Sequence, residues 1–126
     1  MPTGVCHPYL CVVLAICQLT CYPDTMTIPN SIYLHGIKTI VHPEPALAQS
    51  TDNVGEARYR TDTIHLQTGG SQWEMSRERI EQVYCHELVH FILHHMHSKL
   101  RDDEVFVDLF ANLLHQALST GEGAIE

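Results

Sequence analysis

The most regular hydrophobic pattern in the chain runs through residues 76–97, a stretch without glycine or proline. Apolar side chains recur there every three or four positions from Ile80 to Ile92, which is the spacing of one face of an α-helix. Ser76 stands just before the pattern and is suited to cap the first turn through its hydroxyl group. The pattern predicts an amphipathic helix that packs its apolar stripe against a core.

A second helical pattern begins at Glu104 and continues to Leu118, with apolar side chains again at helical spacing. Asp102, Asp103 and Glu104 place negative charge at its N-terminus, where the helix dipole favours it. Gly121 follows the pattern as a stop signal. Because the connection between the two patterns is short, we expect an antiparallel helical hairpin.

The upstream half of the chain has the composition of β-strands. Residues 32–41 are rich in β-branched and aromatic side chains and predict a strand, while residues 57–60 and 63–67 alternate and predict a hairpin. Residues 49–55 are the longest predicted loop, and residues 69–71 predict a turn into the helical half. We therefore expect an α+β fold, in which a small antiparallel or mixed sheet of about three strands packs on the two helices.

The motif His-Glu-x-x-His stands on the first predicted helix as His86, Glu87 and His90. Residues four apart stack on one helix face, so both imidazoles can present a nitrogen to one metal ion. Zinc accepts such nitrogens, and a catalytic zinc site uses three protein ligands and a water molecule. Glu87 follows the first histidine directly, where its carboxylate can take a proton from that water. The motif predicts a zinc hydrolase with one zinc ion per chain and Glu87 as its catalytic residue.

Glu104 is the candidate third ligand. Glu104 and Asp108 lie four residues apart and therefore share a face of the second predicted helix. In an antiparallel hairpin, Glu104 can complete the metal site with His86 and His90. Asp108 can then hydrogen-bond the far ring nitrogen of His86 and fix its orientation. The sequence assigns no residue that would stabilise an oxyanion, although a tyrosine or histidine of the strand half is an open alternative.

The His-Glu-x-x-His motif at residues 86–90, followed by Glu104-x-x-x-Asp108, resembles the two-part signature of the gluzincin metallopeptidases. The short gap between the two parts resembles the minimal, single-domain minigluzincins. Residues 106–112 resemble metallopeptidase-like proteins of phages and mobile elements, some of which cleave repressors. The resemblance covers residues 28–119, and it implies a zinc endopeptidase with Glu104 as the third zinc ligand and a peptide or protein as substrate.

The same resemblance implies where a substrate binds. The last strand, residues 64–67, would lie at the edge of the sheet above the cleft, where an extended peptide binds by strand addition. The alternative is a sheet that only covers the helices, and periodicity does not separate the two.

The remaining histidines and the cysteine of the first helix are assigned no chemistry. His94 continues the series from His86, but three histidines along one straight helix span about 12 Å, which is too far for one ion. We expect polar side chains on the surface at four further histidines and a core position for Cys85, which points about 100° away from His86. Those four are His94, His95, His97 and His115.

Residues 1–25 contain four of the five cysteines and an apolar run at residues 9–19. The run is too short to span a bilayer, and no lysine or arginine precedes it. Four interpretations stay open, namely a translation start at Met26, a cryptic leader or extra strand, a signal peptide, and a latency segment in which the thiolate of Cys21 or of another cysteine occupies the open position of the zinc. We expect one zincin-like domain over residues 26–126 in the cytoplasm, or a secreted protein if residues 1–25 act as a signal.

The net charge is −8, from 15 acidic against 7 basic residues, and this balance disfavours nucleic-acid binding. No membrane association is expected either. The leading hypothesis is a zinc endopeptidase in which Glu87 acts as general base and acid. The alternative is a catalytically silent zinc-binding regulatory or interaction module, and a third is a small protein whose motif is accidental. The sequence predicts neither the substrate nor the oligomeric state.

Overall fold

A computed structural model describes residues 26–45, 47, 53–68 and 75–125 of the chain. Within these residues no helix is both long enough and apolar enough to span a membrane. The small α+β fold expected from the sequence is confirmed, whereas the predictions for residues 1–25 and 69–71 lie outside the described residues. The elements are strands β1 (Ser31–Leu34), β2 (Ile37–Glu44), β3 (Gly55–Arg58) and β4 (Thr63–Gln67), helix α1 (Arg77–His95), a 3₁₀ helix (Lys99–Asp102) and helix α2 (Glu104–Thr120).

The four strands form one mixed sheet in the order β1-β2-β4-β3. The single strand expected over residues 32–41 is in fact two antiparallel strands, with Ser31 opposite Ile40. The chain reverses between them at His35 and Gly36, both of which have positive φ angles (52° and 75°). A glycine adopts this left-handed conformation without steric cost, so the turn forms inside a stretch that otherwise reads as a continuous strand.

Strand β4 lies inside the sheet, parallel to β2 on one side and antiparallel to β3 on the other. The predicted hairpin is confirmed, with Arg58 opposite Thr63. The expectation that residues 64–67 form the sheet edge is wrong, because the edge strand is β3. The burial of Ile64 and Leu66, which are 0% and 2% exposed, agrees with a central strand.

Helix α1 begins as the sequence predicts. The Ser76 side chain accepts a hydrogen bond from the Arg79 amide at 3.1 Å and caps the first turn. Val83, Phe91 and Cys85 are buried, so Cys85 occupies the expected core position. The helix ends before His97, whose φ of 54° turns the chain into the 3₁₀ helix.

Helix α2 runs antiparallel to α1 over the part of the chain that ends at His115. His86 of α1 contacts Asp108 of α2, while Glu81, earlier in α1, contacts His115, later in α2. The Asp103 side chain accepts a hydrogen bond from the Phe106 amide at 3.0 Å and caps the N-terminus of α2. The short connection therefore returns the chain along α1 and brings the acidic end of α2 toward the histidine motif.

The expected surface position of His115 is wrong. His115 is 2% exposed, and its Nε2 lies 2.9 Å from Oε1 of the equally buried Glu81. Arg77 donates from Nε to the other carboxylate oxygen of Glu81 at 2.8 Å. A buried imidazole is tolerated when it pairs with a buried carboxylate, and Glu81 stands 34 residues away in the sequence.

The described chain divides into two compact units. The first, Thr27–His115, contains all four strands, α1, the 3₁₀ helix and α2 up to His115. The second, in its described part, consists of Met26 and residues 116–125. In the second unit the Thr120 hydroxyl donates to the Gln116 carbonyl oxygen at 2.6 Å. All five residues of the predicted site belong to the first unit.

Candidate metal centre

His86 and His90 lie one turn apart on α1, with 4.9 Å between their ring centroids. Glu104, the first residue of α2, faces both rings. Its Oε1 lies 3.1 Å from Nε2 of His86, and its Oε2 lies 3.3 Å from Nε2 of His90. One ligand atom from each residue lies within 4.8 Å of the other two, so the three side chains could hold a metal ion. The structure brings the three predicted ligands together.

Each histidine has a second partner behind the site. Nδ1 of His86 lies 3.5 Å from Oδ1 of Asp108, where the sequence places this carboxylate. Nδ1 of His90 donates to the carbonyl oxygen of Arg101 at 2.8 Å. The hydrogen bond at Nδ1 of His90 fixes the tautomer in which its Nε2 is free to bind a metal ion, while Asp108 lies within ion-pair distance of His86. Sequence reasoning missed the Arg101 carbonyl, because a backbone group leaves no side-chain signal.

Glu87 is buried beside the candidate ligands, with 8% of its surface exposed. Burial, together with the smaller effect of the negative charges of Glu104 and Glu56, raises the pKa of its carboxyl from 4.5 to about 7. Gly55 of the edge strand passes directly over it. A Cβ atom at position 55 would lie 2.4 Å from Cγ1 of Val83 and 2.9 Å from Oε2 of Glu87, so only glycine fits.

The site opens into a cavity of about 360 Å³ between α1, the start of α2 and the edge strand. Gly55, Ala57 and Tyr59 line its strand side, opposite the histidine motif. The Val54 carbonyl oxygen accepts a hydrogen bond from the Gln67 amide at 2.9 Å. Because ladder bonds alternate along an antiparallel pair, the peptide groups of Gly55 and Ala57 point away from β4. In the described part of the chain no strand pairs with this edge.

Tyr59, which follows the edge strand directly, packs on the end of α1. Its ring is stacked on His94, with 4.2 Å between centroids and 10° between planes. An Arg101 guanidinium nitrogen lies 3.0 Å from Nδ1 of His94. His97 is exposed as expected, but His94 and His95 are half-buried, so the expected surface position is wrong for these two. His94 packs on Tyr59, a contact that the residues around His94 in the sequence do not predict.

Comparison with models of protein families, with curated proteins and with solved structures finds no match to this chain. The resemblance to the gluzincin metallopeptidases therefore stays a prediction from the residues themselves. The cluster of His86, His90 and Glu104 that could hold a metal ion, with the groups around it, is the feature that indicates a function.

Proposed function

We propose that this protein is a zinc-dependent endopeptidase. The observation that carries the proposal is the convergence of His86, His90 and Glu104 within 4.8 Å, next to the carboxylate of Glu87 in an open cavity. Two imidazole nitrogens and one carboxylate oxygen are a ligand set of catalytic zinc sites, in which a fourth position stays open. Asp108 and the Arg101 carbonyl support this assignment, because they orient the two rings.

Glu87 is the proposed general base and acid. Zinc held by the three ligands would polarise a peptide carbonyl and lower the pKa of water to about 7. Glu87 would accept a proton from the attacking water and donate it to the leaving nitrogen, a role that its place beside the three candidate ligands allows. The close approach of Gly55 supports this role, since it holds the carboxylate in place and shields it from solvent.

The proposed substrate is an extended peptide segment. The peptide groups of Gly55 and Ala57 point to the open edge of the sheet and line the cavity, so a substrate backbone can pair with them by strand addition. In this proposal strand β3 takes the role that the resemblance to the gluzincins implied for residues 64–67. The net charge of −8 argues against nucleic acid as an alternative partner.

The test measures zinc and hydrolysis on the same preparations. We expect about one zinc ion per parent chain, and a marked loss of zinc for Glu104→Ala. Glu122→Ala, which removes an exposed carboxylate elsewhere, is the matched control and should keep its zinc. Glu87→Gln should keep the zinc and lose hydrolysis of fluorescently labelled casein, because it removes only the proton acceptor.

Two results would contradict the proposal. If neither parent nor control binds zinc after reconstitution, the cluster is not a zinc site. If zinc binds and hydrolysis is absent or survives Glu87→Gln, the endopeptidase mechanism is wrong. Zinc bound without any turnover would instead support the silent zinc-binding module as the function.

A further inference from the structure

We propose that Tyr59 is a further catalytic residue of this site, with a hydroxyl group that donates a hydrogen bond to the carbonyl oxygen of the scissile peptide bond. His94 and Arg101 are positioning residues that hold the Tyr59 ring. The inference rests on the proposed peptidase function and deepens it, because zinc would polarise the reacting oxygen while no residue assigned so far donates a hydrogen bond to it.

The first observation is the path of the edge strand along α1. Gly55 approaches Glu87, and Tyr59, four residues later, packs on Phe91 and His94, one to two turns further along the helix. Alternate residues of a strand share one face, so Tyr59 follows Gly55 and Ala57 toward the helix side. Tyr59 accordingly lines the same cavity as the candidate ligands and Glu87.

The second observation is that three neighbours fix the ring. His94 is stacked on one face at 4.2 Å, and Phe91 meets the ring at 5.1 Å with an angle of 74°. The guanidinium carbon of Arg101 lies 5.5 Å from the ring centroid, within cation–π distance. A tyrosine in a hairpin turn would otherwise rotate freely, so these contacts hold it in one position.

The third observation concerns the hydroxyl group. Among the described residues no group accepts a hydrogen bond from it. Burial raises the pKa of Tyr59, the positive charge of Arg101 lowers it, and the negative charge of Glu87 raises it again. The net effect is a raised pKa, so the hydroxyl stays protonated at neutral pH.

A fixed donor at this position assists the proposed reaction in a defined way. Water adds to the carbonyl carbon while Glu87 accepts its proton, and the electron pair of the carbonyl π bond moves onto oxygen. Tyr59 donates to that oxygen as its negative charge develops. When the carbon–nitrogen bond breaks, the proton held by Glu87 goes to the leaving nitrogen. Donors placed in advance at a developing oxyanion lower the barrier without reorganisation.

Arg101 connects this donor to the metal centre. Its guanidinium group is hydrogen-bonded to His94 at 3.0 Å, while its backbone carbonyl accepts from Nδ1 of the ligand His90 at 2.8 Å. One residue of the 3₁₀ helix thus holds both the ring that supports Tyr59 and a proposed metal ligand. The packing of the Tyr59 ring and the orientation of His90 therefore depend on the same short segment.

The test compares Tyr59→Phe, which keeps the stacked ring, with Tyr33→Phe, which changes a tyrosine 66% exposed on β1. With zinc-loaded protein and labelled casein, we expect Tyr59→Phe to lower kcat about 10- to 100-fold and to change KM less than about twofold. Zinc content and Tm should match the parent. Tyr33→Phe should behave as the parent in every measurement.

A second measurement does not depend on hydrolysis. N-phosphoryl-Leu-Trp presents tetrahedral oxygens to a zinc site, whereas N-mercaptoacetyl-Leu-Trp binds zinc through sulfur. By calorimetry, Tyr59→Phe should bind the phosphoryl probe about tenfold more weakly than the parent and the thiol probe equally well. Equal binding of both probes would overturn the role of Tyr59. A selective loss in a protein that does not cleave casein would uphold the donor and contradict only the peptidase function.

His94 is tested by a pair of substitutions. His94→Ala removes the stacked ring and should reproduce most of the loss in kcat and in phosphoryl-probe affinity. His94→Phe restores a flat partner for Tyr59 and should recover most of both. If His94→Phe and His94→Ala are equally impaired, stacking does not position Tyr59.

Discussion

Gly55 on the edge strand lies against Glu87 on helix α1 so closely that a Cβ atom at position 55 would be 2.9 Å from Oε2 of the carboxylate. The sheet thus touches the helix at the proposed general base, beside the candidate metal ligands. This contact limits the motion of the Glu87 side chain, removes water from one side of it, and sets the distance between the helix and the backbone groups that would bind a peptide.

Gly55→Ala should therefore disturb both the fold and the site. The added methyl group would overlap Val83 and Glu87, and overpacking of this kind costs about 1–3 kcal/mol of the free energy of unfolding. We expect urea denaturation to show a decrease of that size in the free energy of unfolding. We also expect the rate of casein hydrolysis to fall by a larger factor than the zinc content. Gly121→Ala adds the same methyl group after the end of α2, where the nearest heavy atom would be 3.3 Å away, and serves as control. Unchanged stability and activity in Gly55→Ala would show that the contact is loose.

The stability of the metal-free protein should depend on pH through Glu87. Its pKa is raised to about 7 in the folded state from 4.5, so between these pH values the folded chain binds more protons than the unfolded chain. The free energy of unfolding contributed by this group is then greatest below pH 4.5 and falls as pH rises to about 7. The contribution of Glu87 to the free energy of unfolding is about 3 kcal/mol smaller well above pH 7 than well below pH 4.5.

Urea denaturation in the presence of a chelator, at several pH values, measures this effect. Glu87→Gln cannot ionise, so the stability difference between variant and parent isolates the contribution of Glu87. We expect the variant to gain relative stability as pH rises from 4.5 to 7. Parallel pH profiles for the two proteins would show that Glu87 keeps an ordinary pKa.

Asp108 should tune the metal affinity without being a ligand. Its Oδ1 lies 3.5 Å from Nδ1 of His86, and partners of this kind typically contribute 10- to 100-fold in affinity. We expect Asp108→Ala to weaken zinc binding by about that factor in a chelator competition assay. Asn112→Ala, one turn further along α2 and exposed, is the control. A loss as complete as that of Glu104→Ala would instead make Asp108 a ligand.

The buried pair Glu81–His115 should stabilise the two helices independently of the metal. His115→Leu leaves Glu81 buried without its imidazole partner, and breaking such a pair costs about 3–5 kcal/mol. The double variant Glu81→Met with His115→Leu removes both polar groups and should recover much of that loss, because Arg77 is 55% exposed and can turn to solvent. Urea denaturation measures both, and the zinc content should stay at the parent level.

The sequence by itself determined the local geometry of the site. Helical periodicity places His86 and His90 on one face of α1, and Ser76 begins that helix, because both depend on interactions within a single turn. The same reasoning placed Glu104 at the start of α2 and Asp108 one turn later. A short connection between two helices then left few ways to arrange them, so the approach of Glu104 to the histidines was foreseeable.

Only the tertiary structure decided which groups meet across elements. Alternation of side chains does not encode strand order, so β3 rather than β4 became the edge above the site. Likewise, the rings of Tyr59 and His94 stack although these residues are 35 positions apart in the sequence. His115 is buried because it contacts Glu81, which is 34 positions away. Such contacts depend on how the apolar faces of distant elements pack together. A polar group is buried without a large cost in free energy only when it meets a polar partner, and the local sequence does not specify that partner.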